Sequence, residues 1–294
     1  MANTTTALLI GIIIVLVLIL QYILYIQSIQ EPFFDNTVMP YLMGGLGNNL
    51  FQLASSYSIA RQYNKEFKIN MEYLANSHHS DNSKFFDSIF KNFKKFITTN
   101  KASETIYETS SENTEYPEIG SKSADIHMMG YFQNAAYIAP IREEFIGLLH
   151  FNESIANKYP KLNESMFIHL RGGDFKQIEL HNVDLKNYYL RAIDFCKNKG
   201  VQHYYIFTND MEYAKSCEFL KDIEHEFVNE SEIDSLYLMS KCQLGGIGAN
   251  STFSWWGLYL NIHRPYLILP NKWYNSGNIY TNELYFPNVM RLPV

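Results

Sequence analysis

The sequence predicts an α/β protein built on parallel sheets and preceded by a single N-terminal membrane helix. Three patterns point there. From residue 166 onward, short apolar strands alternate with amphipathic helices, the order that produces parallel pairing. Glycine-bearing turns follow three predicted strands, at 44–49, 171–175 and 248–257. Residues 8–26, LLIGIIIVLVLILQYILYI, carry no charge, and about 20 apolar residues suffice to cross a bilayer as a helix.

Taken in chain order, residues 1–7 form a short tail and 8–26 the transmembrane anchor. Each Leu or Ile contributes about −0.3 to −0.6 kcal/mol to insertion at the bilayer centre. The tail has no basic residue and no small-residue cleavage pattern follows the run, so the segment reads as an uncleaved anchor rather than a signal peptide. Lys and Arg are missing on both sides, while Glu31 and Asp35 follow the run. That balance places the N-terminus in the cytosol and the body beyond the membrane, a type II arrangement with a luminal body, in the Golgi of a eukaryotic cell. Sequons at Asn152, Asn163 and Asn229 are compatible with a lumen.

Residues 27–37 read as a stem. A strand, VMPYLM, leads to Gly44 and the loop GGLGNN, and a helix follows from Leu50, with Leu53, Ala54, Tyr57 and Ala60 on one face. Residues 77–123 are polar and read as a weakly structured insertion. Strand character returns at DIHMMGYFQ, and an amphipathic helix is expected over 138–149. Further strands are expected at 166–170, 204–208, 226–228, 244–249 and 266–269, and helices at 184–199, 211–220, 231–241 and 254–262, with Ser231 as a cap.

Composition narrows the function. The 294 residues are 47% hydrophobic with a net charge of −6, enough for a substantial core and the wrong sign for neutralising nucleic-acid phosphates. Cys196, Cys217 and Cys242 show neither zinc spacing nor a disulfide framework. There is no D-x-D, H-E-x-x-H or G-x-S-x-G, and His78, His79 and His225 sit in polar surroundings. No metal site is expected.

The positive chemistry gathers beyond strand ends, where ligands bind in parallel sheets. Arg171 leaves one strand beside Gly172 and Gly173, with Asp174 next. Glycines let a backbone approach phosphate closely, and a guanidinium grips phosphate oxygens as a fork. In GANSTFSWWG, Asn250, Ser251, Thr252 and Ser254 stand where a helix begins, and its N–H groups and hydroxyls suit an anion. Gly45, Gly47 and Asn48 of GGLGNN either line a phosphate or make a tight turn.

These residues resemble the α-1,2-fucosyltransferases of glycosyltransferase family 11. GGLGNNLFQ at 44–52, GYFQNAAYI at 130–138, HLRGGDF at 169–175, FTND at 207–210, the block 234–261 and LPNKWY at 269–274 follow the family's motifs in order. The resemblance spans about residues 40–275 and implies a GT-B fold, two Rossmann-like domains facing a cleft. The N-terminal half, 38–160, would be the acceptor side and 161–294 the donor side. It implies GDP-fucose as donor, inversion at the anomeric carbon, no metal cofactor, and a glycan hydroxyl as acceptor, the 2-OH of a terminal galactose. Arg171 would hold the diphosphate, His169 and Asp234 the guanine end, and Ser251 and Thr252 the phosphates, with Asp210 in the donor site. Asp174 would be the base or orient Arg171. Gly172 stands where the family usually has a second Arg, and Asn49 replaces Gln. These departures leave open another nucleotide-sugar donor, or a membrane-tethered pseudoenzyme that binds without turnover. Oligomeric state is not legible.

Overall fold

Strand β1 (Thr37–Pro40) runs toward Gly44, whose φ of +76° turns the chain into helix α1 (Leu46–Gln62). Only glycine takes that conformation cheaply, so the turn was correctly marked by sequence. The helix itself begins four residues earlier than expected, and GGLGNN is therefore half turn and half first helical turn. The computed structural model describes residues 15–19, 21, 36–74, 81–108, 116–119, 124–276 and 281–294, the Asp174 side chain excepted. Of the apolar run 8–26, only Val15–Ile19 and Gln21 fall among them, helical and exposed; most of the stem and His78 and His79 fall outside. Among the described residues no helix is long and apolar enough to cross a membrane. Met1–Asp35 and Asn36–Val294 form separate units, and all the sheets lie in the second.

After α1 come β2 (Glu66–Phe67), β3 (Ile69–Asn70), β4 (Ile97–Thr98), β5 (Glu104–Tyr107) and β6 (Ile126–Met129). They make a parallel sheet in the order β2-β1-β6-β5, with β3 and β4 paired separately. The expectation of a weakly structured insertion over 77–123 needs correction. Phe85, Phe86, Ile89, Phe90 and Phe93 are all buried in the main core, on 3₁₀ turns at Asn82–Asp87 and Lys91–Phe96 and the turn that joins them. Their rings meet edge to face, with Phe90 5.8 Å from Phe93 and Phe93 5.6 Å from Phe145. Each such ring contributes roughly 1.5–3 kcal/mol on burial, so this segment holds part of the core together.

Short helices α2 (Ala135–Ile138) and α3 (Arg142–Leu148) follow, separated by a 3₁₀ turn that contains Pro140. The single helix expected over 138–149 is broken there because proline cannot donate its missing N–H. Then β7 (Ser165–Leu170), α4 (Lys186–Asn198), β8 (His203–Thr208), α5 (Met211–Ser216), β9 (Glu224–Phe227), α6 (Glu232–Lys241), β10 (Gly245–Ile247), α7 (Thr252–Tyr259), β11 (Tyr266–Pro270) and β12 (Val289–Leu292) alternate. The second sheet is parallel throughout, in the order β12-β11-β10-β7-β8-β9. Every residue of β7 is buried, as a strand covered on both faces must be.

The two sheets meet through α1 and α7. Nearly all of α1 is buried, including Asn49 and Gln52. Phe51 lies 4.4 Å from Trp255 and 5.4 Å from Trp256. Between the helix starts there is no room for a side chain. A Cβ on Gly47 would stand 2.6 Å from the Phe253 nitrogen and from Thr252 Oγ1.

Candidate active site

In the second sheet the chain steps outward from β7 to β9 and then, on the other side, from β10 to β12, so the strand order reverses between β7 and β10; in the first, β1 and β6 are the two central strands. Crevices beyond such reversals are where open α/β sheets bind ligands. One cavity of about 550 Å³ takes its walls from the segments leaving all four strands: Gly44–Asn48 after β1, Tyr131 and Gln133 after β6, Arg171 after β7, and Asn250–Phe253 after β10.

Arg171 is the cavity's fixed cation, its guanidinium 4.6 Å from the centroid of Phe175. The glycines beside it are held from behind by FTND. Gly172 N–H donates to Asn209 Oδ1 at 2.9 Å and Gly173 N–H to Asp210 Oδ2 at 3.0 Å. Asp210 also caps α5, accepting from the Tyr213 N–H at 3.0 Å. The Tyr213 and Gly173 N–H groups together hold its carboxyl below the usual carboxylate range. This bracing explains why position 172 carries no side chain here: a Cβ would come within 2.7 Å of Asp210 Cβ and 2.9 Å of the Tyr213 ring.

His169 is buried, 3% exposed, at the end of β7. Its Nδ1 is hydrogen-bonded to Ser254 Oγ, which also accepts the Ala249 N–H at 2.9 Å. The Ser254 hydroxyl thus ties the ring to the turn that opens α7. Burial, helped by the Arg171 charge, pushes the His169 pKa down to about 3. The ring stays neutral.

Helix α7 points its N-terminus at the cavity. Ser251 caps it, accepting from the Phe253 N–H, and Thr252 Oγ1 donates to Asn48 Oδ1 at 2.9 Å. Gln133 Nε2 donates to the same oxygen at 3.2 Å. At the far end of α7 two buried arginines take up the carbonyls. Arg264 donates to Gly257 O at 2.8 Å and Leu258 O at 3.0 Å, and Arg142 to Tyr259 O at 2.8 Å and Leu260 O at 2.9 Å. Cations at the negative end satisfy the helix dipole and leave its positive end for the cavity. The start of α1 is a second such end. Gly45 caps it without a side-chain bond, and the first N–H groups of a helix have no partner within it. One guanidinium and two helix starts thus converge on one space, an arrangement that fits a polyanion such as a diphosphate.

Of the residues singled out in the sequence, Gly45, Gly47, Asn48, His169, Arg171, Asn250, Ser251 and Thr252 line the cavity. Asp210 and Ser254 do not line it; they hold Gly173 and His169 in place. Asp234 does not line it either. It is tied to the helix cap Ser231, whose hydroxyl donates to Asp234 Oδ2 at 2.8 Å and accepts its N–H at 3.1 Å, while Ser235, Glu230 and Glu232 face the cavity instead. The Asp174 side chain lies outside the described residues. Among the described residues no cluster of His, Cys, Asp and Glu could hold a metal. Asn250 spends its amide on backbone, donating to His181 O at 3.0 Å and Trp273 O at 2.8 Å.

Sequence reasoning missed Phe175, His181, Trp273 and Tyr274, all of which line the cavity. Phe175 stacks on His181 at 4.8 Å, and His181 leans on Tyr274 at 5.4 Å. With Arg171 they form a continuous stack along one wall. HLRGGDF and LPNKWY bracket this wall, but nothing in the chain marks His181.

The sequence profile of the family described as Glycosyl transferase family 11 matches residues 15–289. The chain is 26% identical over 279 residues to an alpha-1,2-colitosyltransferase of Escherichia coli, covering 82% of this chain and 94% of that one. It is 25% identical over 292 residues to a candidate galactoside 2-alpha-L-fucosyltransferase, svh-11, of Caenorhabditis elegans, covering 85% and 78%. The crystal structure of fucosyltransferase NodZ from Bradyrhizobium superposes with a TM-score of 0.51 at 13% identity, over 77% of this chain and 94% of that one, a likeness of fold.

Proposed function

The chain belongs to glycosyl transferase family 11 and is a glycosyltransferase, and from that premise we propose that it moves fucose from GDP-fucose to the 2-OH of a terminal galactose. The observation that carries the reading is the convergence of Arg171 with the starts of α1 and α7 on one cavity. A departing diphosphate needs positive charge and N–H donors already in place, and this wall supplies both from protein alone. The acceptor oxygen attacks the anomeric carbon from the face opposite the diphosphate, so the configuration inverts and no metal is called upon. The two parallel sheets would be the halves of a GT-B enzyme, the 37–129 half receiving the acceptor and the 165–292 half the nucleotide. The apolar run 8–26 would tether the body to a bilayer.

A second donor has a specific observation in its favour. The family's second arginine is absent at Gly172, where Asp210 leaves no space for one, and one relative is a colitosyltransferase. Colitose, or another sugar on a nucleotide diphosphate, is therefore the competing reading. Incubating the enzyme with GDP-fucose and with other GDP- and UDP-sugars, over a panel of galactose-terminated glycans, decides between them. NMR of the product should show an α-1,2 linkage to fucose. Turnover confined to a different sugar nucleotide would replace the donor, and a GDP-binding protein without turnover would defeat the reading.

A further inference from the structure

We infer that the ring of Tyr131 is the platform on which the acceptor sugar lies, its C–H face against the aromatic face. The inference rests on the transferase reading above and gives it an acceptor subsite.

The first observation is a strained turn held from all sides. Tyr131 stands between Gly130, at φ +156°, and Phe132, at φ +48°. The second value is left-handed, a conformation that an aromatic residue rarely takes and that persists only where its surroundings impose it. Helix α1 sends two buried polar side chains to this turn, Gln52 and Ser55. Gln52 Nε2 donates to Gly130 O at 3.2 Å, and Ser55 Oγ donates to Phe132 O at 2.8 Å. Gln52 Oε1 also accepts the Met43 N–H at 3.0 Å, which ties the turn to the loop after β1. From the end of β5, Glu108 Oε2 accepts the Tyr131 N–H at 2.7 Å. Gly130 makes room for that side chain, since a Cβ there would stand 2.3 Å from Glu108 Cβ. The carbonyls on either side of Tyr131 and its own N–H are thus all pinned.

The second observation is what so firm a backbone presents. Phe132 is buried, whereas Tyr131 is 38% exposed and lines the cavity. The core gains little from a ring left partly in water, so the strain at Phe132 points to a binding role for its neighbour. Tyr131 enters from β6, in the half proposed to receive the acceptor, while Arg171 and the start of α7 enter from the second sheet. Burial first, then the nearby Glu108 and Tyr131, push the Tyr274 phenol above its ordinary value. Tyrosines from the two halves therefore neighbour each other on one cavity.

The chemistry selects the occupant. The face of an aromatic ring is negative, and sugar C–H groups beside electronegative oxygens are slightly positive. A β-galactose carries its 4-OH axially, which leaves C3–H, C4–H and C5–H bare on the opposite face. That patch can lie flat on the Tyr131 ring with the 2-OH at the sugar's edge, open to the anomeric carbon of the donor. A ring held still before binding loses little freedom when the sugar arrives.

The test replaces Tyr131 with Ala and, in parallel, with Phe, in the full chain. Assays use whichever sugar nucleotide the wild type turns over. Tyr131→Ala should raise the acceptor KM about 10-fold, the scale of one aromatic contact, with kcat and the donor KM within a few fold of wild type. Tyr131→Phe keeps the face and should raise it no more than about threefold. A second measurement needs no turnover: saturation-transfer NMR of lactose on the wild-type protein with GDP bound. The strongest signals should fall on galactose C3–H to C5–H, and they should fade in Tyr131→Ala. Loss of all turnover in the wild type would strike the transferase reading and leave this measurement to decide the platform. An unchanged acceptor KM in Tyr131→Ala would overturn the inference. So would a Phe variant as impaired as the Ala variant, a donor KM that rises in place of the acceptor KM, or saturation spread evenly over the disaccharide.

Discussion

The start of α1 brings to the cavity glycines and peptide N–H groups, whereas the start of α7 brings a capping serine, a threonine hydroxyl and, from the adjacent strand end, Arg171. Both follow a central strand of a parallel sheet. The first depends on shape, because Gly47 must let α1 rest against the first turn of α7. The second depends on charge, because α7 is capped by arginines behind and faces a guanidinium in front. Equivalent positions in two similar sheets therefore do different work, and substitutions on the two sides should fail in different ways.

The largest effect is expected on the charged side. Arg171→Ala should lower kcat/KM by about 10³-fold, the scale of losing a preorganised donor to a developing charge, with little change in thermal midpoint. Steady-state kinetics beside a melting curve would check both halves, and wild-type turnover would remove Arg171 from the site. On the shape side the order should reverse. Gly47→Val should cost about 1–3 kcal/mol of stability, since the added carbons meet backbone that cannot step aside, and activity should suffer only as the helix starts are pushed apart. An unshifted denaturation midpoint would mean that the two starts are not in contact. The last effect, absent at neutral pH, concerns His169. Its folded pKa lies near 3, below the ordinary value of about 6.5. The unfolded chain thus binds the extra proton first, and stability falls as pH drops from about 6.5 toward 3, by up to about 1.4 kcal/mol per unit. His169→Asn retains a hydrogen-bonding group beside Ser254 and should flatten that slope. Melting both proteins between pH 4.5 and 7 would show it, and parallel slopes would contradict it.

What the sequence disclosed follows the physics of each element. Strand β7 and its neighbour β8 were legible because buried parallel strands are continuous apolar runs. Helix α6 was legible because Ser231 announces it and does cap it. The early start of α1 was hidden, since Gly47 reads as a helix breaker until α7 is seen pressed against it. The phenylalanine cluster of 85–93 was masked by the polar residues around it, although its spacing of three and four was a helical signal. At the site, motif position told which loops converge but not which side chains face inward. Asp210 and Ser254 turned out to support Gly173 and His169 from behind, and Ser235 rather than Asp234 faces the cavity. His181 carried no local mark because its place depends on Phe175 and Tyr274, about six residues before it and more than ninety after it.

Asn250, Ser251 and Thr252 also spell an acceptor for N-linked glycosylation. The amide nitrogen that a glycan would occupy already gives its hydrogens to His181 O and Trp273 O. An oligosaccharide there would pry apart the loops that close the cavity wall, unlike one on the exposed Asn152, Asn163 or Asn229. The two hydrogen bonds of the Asn250 amide require it bare. In a cell whose secretory compartment decorates such tripeptides during synthesis, a body exported there must escape modification at residue 250, a demand that a body left in the cytosol never meets.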